Sequence, residues 1–245
     1  MFKAKISADI LRDSIKSISS IVDEAKFKIT DSGIHVRAVD PANVAMVSLE
    51  LTSAAFDSFE ATELELGIDL VRLIDALDMA ERNASVIMEF NKETHKLQLG
   101  IGGLSYTLAL LDPSTIRKEP KVPQLNLATS VKIDGTTFKR LVKAAEKVGE
   151  YITLGIKGDS FYMEAEGDTD RVRFEMTREE VIDIVPGESR SLYSLDYLTS
   201  ISKAVSASTE LTIELSIDYP VNISFNLAEG KGSVKYLLAP RIESE

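Results

Sequence analysis

Thr136–Val148 reads TTFKRLVKAAEKV, and its spacing predicts an amphipathic helix. Phe138, Leu141, Val142, Ala145 and Val148 fall on one stripe at the intervals of a helical turn. Lys139, Lys143 and Lys147 recur at i, i+4 and i+8 on the opposite side with Arg140 beside them, so the second face is a basic ridge. The pattern returns elsewhere. Asp9–Val22 carries Leu11, Ile15, Ile18 and Val22, with Asp9 as a candidate N-cap and with Arg12 and Lys16 at i, i+4. Asp69–Ala80 sets Leu70, Leu73, Ile74 and Leu77 along one stripe and offers Arg72. Ser194–Val205 carries Leu198, Ile201 and Val205 and offers Lys203.

These four segments form two pairs. The members of each pair begin about 60 residues apart, and a shift of about 126 residues lays the first pair on the second. Between them runs of period two predict strands. In the first half these are 26–30, 34–39, 44–51, 63–68, 85–90, 96–101 and 104–111, and in the second half 152–157, 161–166, 171–176, 189–194, 210–217, 221–227 and 233–238. Many antiparallel-looking strands with only two helices per half imply an α+β fold built as two tandem copies of one β-rich design. A doubly wound α/β fold needs strands and helices in alternation, and that alternation is absent. The expected organisation is an N-terminal domain at 1–111, a connector at 112–126 and a C-terminal domain at 127–245. The connector holds Pro113, Pro120 and Pro123 with charged residues between, which favours an extended, solvated segment. It reads either as a plain linker or as an exposed docking strip.

The composition narrows the chemistry. The chain has no cysteine, so disulfides, thiolate metal sites and cysteine nucleophiles are excluded, and a cytoplasmic or nuclear compartment is expected. No apolar run approaches a membrane span, and Phe2–Ile6 alternates where a signal peptide would be continuously apolar. The two histidines, His35 and His95, belong to no ligand motif and read as strand-surface residues. Glu164, Glu166, Asp168 and Asp170 lack the spacing of a calcium loop and read as the polar face of a strand and its turn. Neither a phosphate-binding glycine loop nor a nucleophile elbow is present. No catalytic residue, metal or cofactor is therefore expected.

A formal net charge of −11 repels nucleic acid on average, so a DNA-binding reading requires segregation of charge. On a single helix, lysines opposite an apolar stripe serve solubility. If all four helices line one surface, their cations supply the segregation and would reach phosphates without reading bases. Asp13, Asp75, Asp78, Glu146 and Asp196 on or beside the same helices weaken that surface.

The chain resembles the proliferating cell nuclear antigen family of ring-shaped sliding clamps. The resemblance rests on SGIHVRAVD at 32–40 followed by Val44–Val47, on Asp134-Gly135 with Phe138 and its basic helix ending at Gly149, and on KYLLAPRIE at 235–243. It covers essentially the whole chain; the brevity and the lack of a long acidic tail make it archaeal in type. It implies a subunit that closes head-to-tail with two copies into a homotrimeric ring, helices inside and sheets outside. Arg12, Lys16, Arg72, Lys139, Arg140, Lys143, Lys147 and Lys203 would then face double-stranded DNA. The subunit contact would pair Ser105–Leu111, through Tyr106, Leu108 and Leu110, with Arg171–Met176, through Arg171, Arg173 and Phe174. Partner peptides would enter a pocket formed by Val39, Val44, Met46, Val122, Pro123, Pro220, Leu238, Ala239 and Pro240, with Arg241 and Ile242 as its rim. DNA polymerase, the clamp loader, DNA ligase and flap endonuclease are the partners implied. The residues alone leave two other readings open: one member of a heterotrimeric ring, and an acidic β-rich enzyme or ligand binder whose duplication builds a larger cleft.

Overall fold

A computed structural model describes residues 1–207 and 209–242. The chain divides into two compact units. The first comprises Met1–Pro41, Met46–Pro120 and Asn226–Val234, and the second Ala42–Ala45, Lys121–Phe225 and the residues from Lys235 on. The division thus falls inside the expected connector, at Pro120, and each half lends the other a short segment.

The first half contains β1 (Phe2–Ser7), α1 (Ala8–Ser19), β2 (Glu24–Thr30), β3 (Gly33–Val39), β4 (Ala45–Thr52), β5 (Ser58–Ala61), β6 (Leu64–Asp69), α2 (Leu70–Leu77), β7 (Ser85–Asn91), β8 (Lys96–Ile101) and β9 (Leu104–Ala109). The second half contains β10 (Thr129–Asp134), α3 (Gly135–Ala145), β11 (Tyr151–Gly158), β12 (Ser160–Glu166), β13 (Arg171–Met176), β14 (Asp183–Val185), β15 (Gly187–Ser194), α4 (Leu195–Ala204), β16 (Glu210–Leu215), β17 (Val221–Leu227) and β18 (Gly232–Leu238). The order β5-β1-β7-β8-β9 in the first half returns as β14-β10-β16-β17-β18 in the second. Likewise β4-β3-β2-β6 returns as β13-β12-β11-β15. All the paired registers are antiparallel.

Four strands lay outside the sequence-predicted set, and they too come in matching pairs: β1 with β10, and β5 with β14. β1 and β10 run straight into α1 and α3; at Ser7-Ala8 no glycine or proline marks the junction, and at Asp134-Gly135 the single glycine is already the first residue of the helix. β5 and β14 are only four and three residues long, too short for a period of two to stand out.

In each unit the helices pack pairwise, α1 with α2 and α3 with α4, over the sheets. Ile6, Ile15, Ile18, Leu70, Leu73 and Leu77 are buried in the first unit. Phe138, Leu141, Val142, Leu198 and Ile201 are their counterparts in the second. Each such side chain stabilises by about 1.5–3 kcal/mol on burial. Asp9 sits in the first turn of α1 and not at its cap, which is Ser7, because the helix starts directly from β1. Asp69 and Asp134 do cap α2 and α3, accepting the backbone N–H of Arg72 at 3.0 Å and of Thr137 at 2.8 Å. Gly135 opens α3 because a Cβ there would lie 2.1 Å from the carbonyl oxygen of Ser206.

Candidate functional site

The eight helix cations meet different surroundings in the two units. Arg12 on α1 is only 15% exposed in its side chain. Its guanidinium donates to the carbonyls of Leu77 at 2.6 Å and Ala80 at 3.1 Å. It also reaches Asp9 Oδ1 at 2.7 Å and Asp78 Oδ1 at 3.2 Å. The last carbonyls of a helix lack partners within it, so Arg12 acts as a cap supplied by α1 to the end of α2. Lys16 lies 3.6 Å from the same Asp78 oxygen, and Arg72 lies 3.5 Å from Asp69. Asp9 also accepts the N–H of Asn83, which together with Arg12 holds its carboxyl below the usual carboxylate range.

In the second unit Lys139 is half-buried and Lys143, Lys147 and Lys203 are exposed. None of the four pairs with a carboxylate among the described residues. Arg140 stands apart from the lysine ridge. Its guanidinium lies over the ring of Phe174 on β13, 5.1 Å from the centroid, so α3 sends one cation sideways to the sheet edge.

Among the described residues β9 ends the five-stranded sheet and β13 the four-stranded sheet, each with one side lacking a strand neighbour, as do β5, β6, β14 and β15 at the other sheet ends. Of the residues expected at a subunit contact, Tyr106, Leu110 and Phe174 are half-buried and Arg171 and Arg173 exposed. Leu108 is buried in the core of the first unit; Tyr106 shares its face of β9, and the exposed Thr107 and Ala109 lie on the other. Leu110, beyond the end of β9, lines a cavity of about 400 Å³ with Gly67, Phe90 and Leu111. Arg171 and Arg173 both pair with Glu164 on β12, at 2.7 and 2.8 Å, and Arg173 also with Glu175 at 2.9 Å. Arg173 and Arg171 together hold the Glu164 carboxyl below its ordinary value. Glu164 is thereby engaged, and no group of three metal-ligating side chains occurs among the described residues. Arg173 additionally lies 4.3 Å over the ring of Tyr162.

The expected pocket residues divide between the units. In the first, Val39 faces Met46 across the β3–β4 register. Val39 lines a cavity of about 500 Å³ with Ile21, Pro41, Ile116 and Arg117. In the second, the N–H of Ala239 donates to the carbonyl of Val44 at 2.9 Å, joining two of the expected residues. Val122 and Pro123 line a cavity of about 320 Å³ with Leu125, Leu127 and Leu237, and Asn126, Glu214, Asn222 and Lys235 complete its walls. Pro220 is half-buried, and Leu238 is fully buried on the core side of β18. Leu237, Leu125 and Leu127 were missed by sequence reasoning. The signal was there for Leu237: three consecutive apolar residues, Tyr236–Leu238, break the alternation of β18, so one of them must be covered on the outer face. Arg241 stacks 4.2 Å over Tyr151, and its N–H donates to Leu192 O at 2.7 Å. Ile242 is exposed, and Glu243 of the tail motif lies outside the described residues.

The connector itself is solvated only in part. Ile116 is buried, Arg117 donates to the carbonyl of Asp40 at 2.6 Å, and Glu119 pairs with Arg37 at 2.9 Å and with Lys28. Beyond Pro120 the connector side chains are exposed, Val122 to 45%, except for the half-buried Leu125. His35 lies on β3 as expected, but His95 sits in the β7–β8 turn at φ +51° with its ring edge-on to Phe90 at 6.2 Å. Among the described residues no helix is long and apolar enough to cross a membrane.

Residues 1–102 match the family described as "Proliferating cell nuclear antigen, N-terminal domain", and residues 121–241 match its C-terminal domain. The chain is 55% identical over 245 residues, the full length of both chains, to a protein of Methanococcoides burtonii named DNA polymerase sliding clamp. It is 53% identical, again over both full lengths, to the protein of that name from Methanosarcina barkeri. Among solved structures, the complex of the C-terminal region of FEN-1 bound to A. fulgidus PCNA contains a chain with TM-score 0.94 and 36% identity, covering 100% of both chains. The PCNA of Thermococcus kodakaraensis gives a TM-score of 0.92 at 26% identity, covering 98% of this chain and 100% of that one.

Proposed function

The chain belongs to the proliferating cell nuclear antigen family of sliding clamps, and from that premise we propose that it is a DNA polymerase sliding clamp that works without catalysis. It encircles duplex DNA beside the nucleoid in the cytoplasm and tethers polymerase, clamp loader, DNA ligase and flap endonuclease through short peptides. One observation carries the reading: β9 and β13 each end a sheet with a free side. Unpaired edges template pairing with another chain. Two different edges on one subunit make a head-to-tail contact, which closes into a ring when the rotation permits. Tyr106 and Phe174, half-buried on these strands, and Arg171 and Arg173 stand at that contact.

Partner peptides enter by the cavity under the second half of the connector. Val122, Pro123, Leu125, Leu127 and Leu237 supply apolar walls, and Asn126, Glu214, Asn222 and Lys235 supply polar groups. This is the composition of a site for an apolar side chain flanked by backbone. The chain retains clamp function through ring topology, so the partners need no catalytic groups from it.

The solution mass by light scattering tests the ring. Three copies of 26.9 kDa give about 81 kDa, and that mass should persist to low micromolar concentration. A monomer at every concentration and salt would reject the homotrimer. If a second, related chain then restored the trimer mass, the subunit would belong to a heterotrimer.

A further inference from the structure

The two helix pairs occupy equivalent places in one repeated topology, so their residues can be compared position by position. α1 and α3 begin at Ala8 and Gly135, and α2 and α4 at Leu70 and Leu195. In that register Arg12 corresponds to Lys139, Lys16 to Lys143, Asp13 to Arg140, Asp9 to Thr136 and Asp78 to Lys203. The two carboxylates that grip Arg12 in the first unit, Asp9 and Asp78, are thus a threonine and a lysine in the second. Lys139 and Lys143 face no acid at those positions, whereas Arg12 and Lys16 are held by Asp78.

Counted from cap to cap, α1 and α2 carry three cations (Arg12, Lys16, Arg72) against five carboxylates (Asp9, Asp13, Asp69, Asp75, Asp78), a net −2. α3 and α4 carry four cations (Lys139, Arg140, Lys143, Lys203) against three carboxylates (Asp134, Glu146, Asp196), a net +1, with Lys147 one residue beyond. Phosphate binding gains from the release of condensed counterions by free cations. A cation already facing a carboxylate gives up that pairing to meet a phosphate, and the carboxylate then repels the strand.

We propose that duplex DNA is contacted through α3 and α4 alone, by Lys139, Lys143, Lys147 and Lys203. The helices α1 and α2 form an electrostatically closed wall past which the duplex slides. This rests on the sliding-clamp reading and adds to it a division of the inner surface into one gripping and one non-gripping half per subunit.

The test is the salt dependence of binding to a short linear duplex, which can thread a closed ring, read by fluorescence anisotropy on the trimer. Each phosphate contact contributes about 0.9 to the slope of log K against log salt. The double variant Lys143→Ala/Lys147→Ala should lower that slope by about 1 or more and weaken binding at every salt concentration. Lys16→Ala/Arg72→Ala should leave slope and affinity unchanged. Asp78→Lys, which gives α2 the residue found at the matching place in α4, should steepen the slope.

A loss from Lys16→Ala/Arg72→Ala equal to that from Lys143→Ala/Lys147→Ala would overturn the division while leaving the clamp reading intact, as would an unchanged slope in Asp78→Lys. No salt-dependent binding by the unaltered trimer would overturn this inference, while the clamp reading, which rests on ring topology, stands or falls with the solution mass. Light scattering and a thermal melt on each variant separate lost contact from lost ring or lost fold.

Discussion

Arg12→Ala should lower stability without lowering DNA affinity, although Arg12 lies on a helix expected to face the duplex. The side chain makes four contacts: two carbonyls at the end of α2, at 2.6 and 3.1 Å, and the carboxylates of Asp9 and Asp78 at 2.7 and 3.2 Å. A hydrogen bond from a charged donor is worth about 1.5–3 kcal/mol, and the interaction with a helix C-terminus about 0.3–1 kcal/mol. Asp9 and Asp78 are 39% and 54% exposed, so water replaces much of what they lose. The carbonyls are less accessible and carry most of the cost. The sum is about 2–3 kcal/mol, or roughly 4–12 °C in melting temperature for a chain of this size. Differential scanning calorimetry at fixed protein concentration measures it, since ring assembly makes the midpoint concentration-dependent. Arg12→Lys should recover little, because an ammonium cannot span two carbonyls and two carboxylates at once. Lys16→Ala is the control, with an expected change within about 0.5 kcal/mol. If Arg12→Ala melts with the unaltered chain, the capping role assigned to it is wrong.

Gly135→Ala should destabilise by about 1–3 kcal/mol through overpacking against Ser206 O, whereas an unobstructed helical glycine would gain about 1 kcal/mol from the same change; the sign of the shift in urea midpoint, at constant m, decides. Thr137 holds the Asp134 carboxyl below its ordinary value of 3.8 through its backbone N–H and hydroxyl. Because the folded value lies below the unfolded one, this stabilisation is full above 3.8 and is lost as pH falls through the depressed folded value. Asp9 and Glu164 act in the same direction. Melting temperature should therefore drop below about pH 4, and Asp134→Asn, which keeps the cap but cannot titrate, should flatten part of that drop. Val122→Glu should weaken capture of a partner peptide at least tenfold in a titration while leaving the melt unchanged, since the side chain is exposed in the free chain; a large melting shift would mean that Val122 serves the fold.

The α+β class, the four helices and the repeat were legible because each rests on periodicity within one short segment. The matched pairs β1 with β10 and β5 with β14 were not, because strand-to-helix junctions such as Ser7-Ala8 carry no turn residue and three- or four-residue strands carry no period. Arg12 illustrates a deeper limit. Its place on the polar side of α1 is plain from spacing, but its carbonyl partners lie 65 and 68 residues away, and nothing local distinguishes a capping arginine from a solvated one. Arg140 was placed with its lysine neighbours although one helical step turns it about 100° away, toward Phe174. Tyr236–Leu238 held the opposite case, a visible break in alternation that pointed to a covered outer face.

The anchoring of the connector by Glu119, Arg117 and Ile116 fixes how long a leash a docked enzyme has. A free loop of 15 residues, 112 to 126, has a drawn-out length of about 50 Å and, tied at both ends, would reach outward by about 25 Å. With the chain fastened at Glu119, the loop shortens to Pro120–Asn126, and its outward reach falls to about 12 Å. If that stretch captures partners as proposed, an enzyme held by it would stay within a small volume beside the clamp, at a correspondingly high local concentration. Cutting Glu119 loose would lengthen the leash and dilute the enzyme there without touching any residue that binds it.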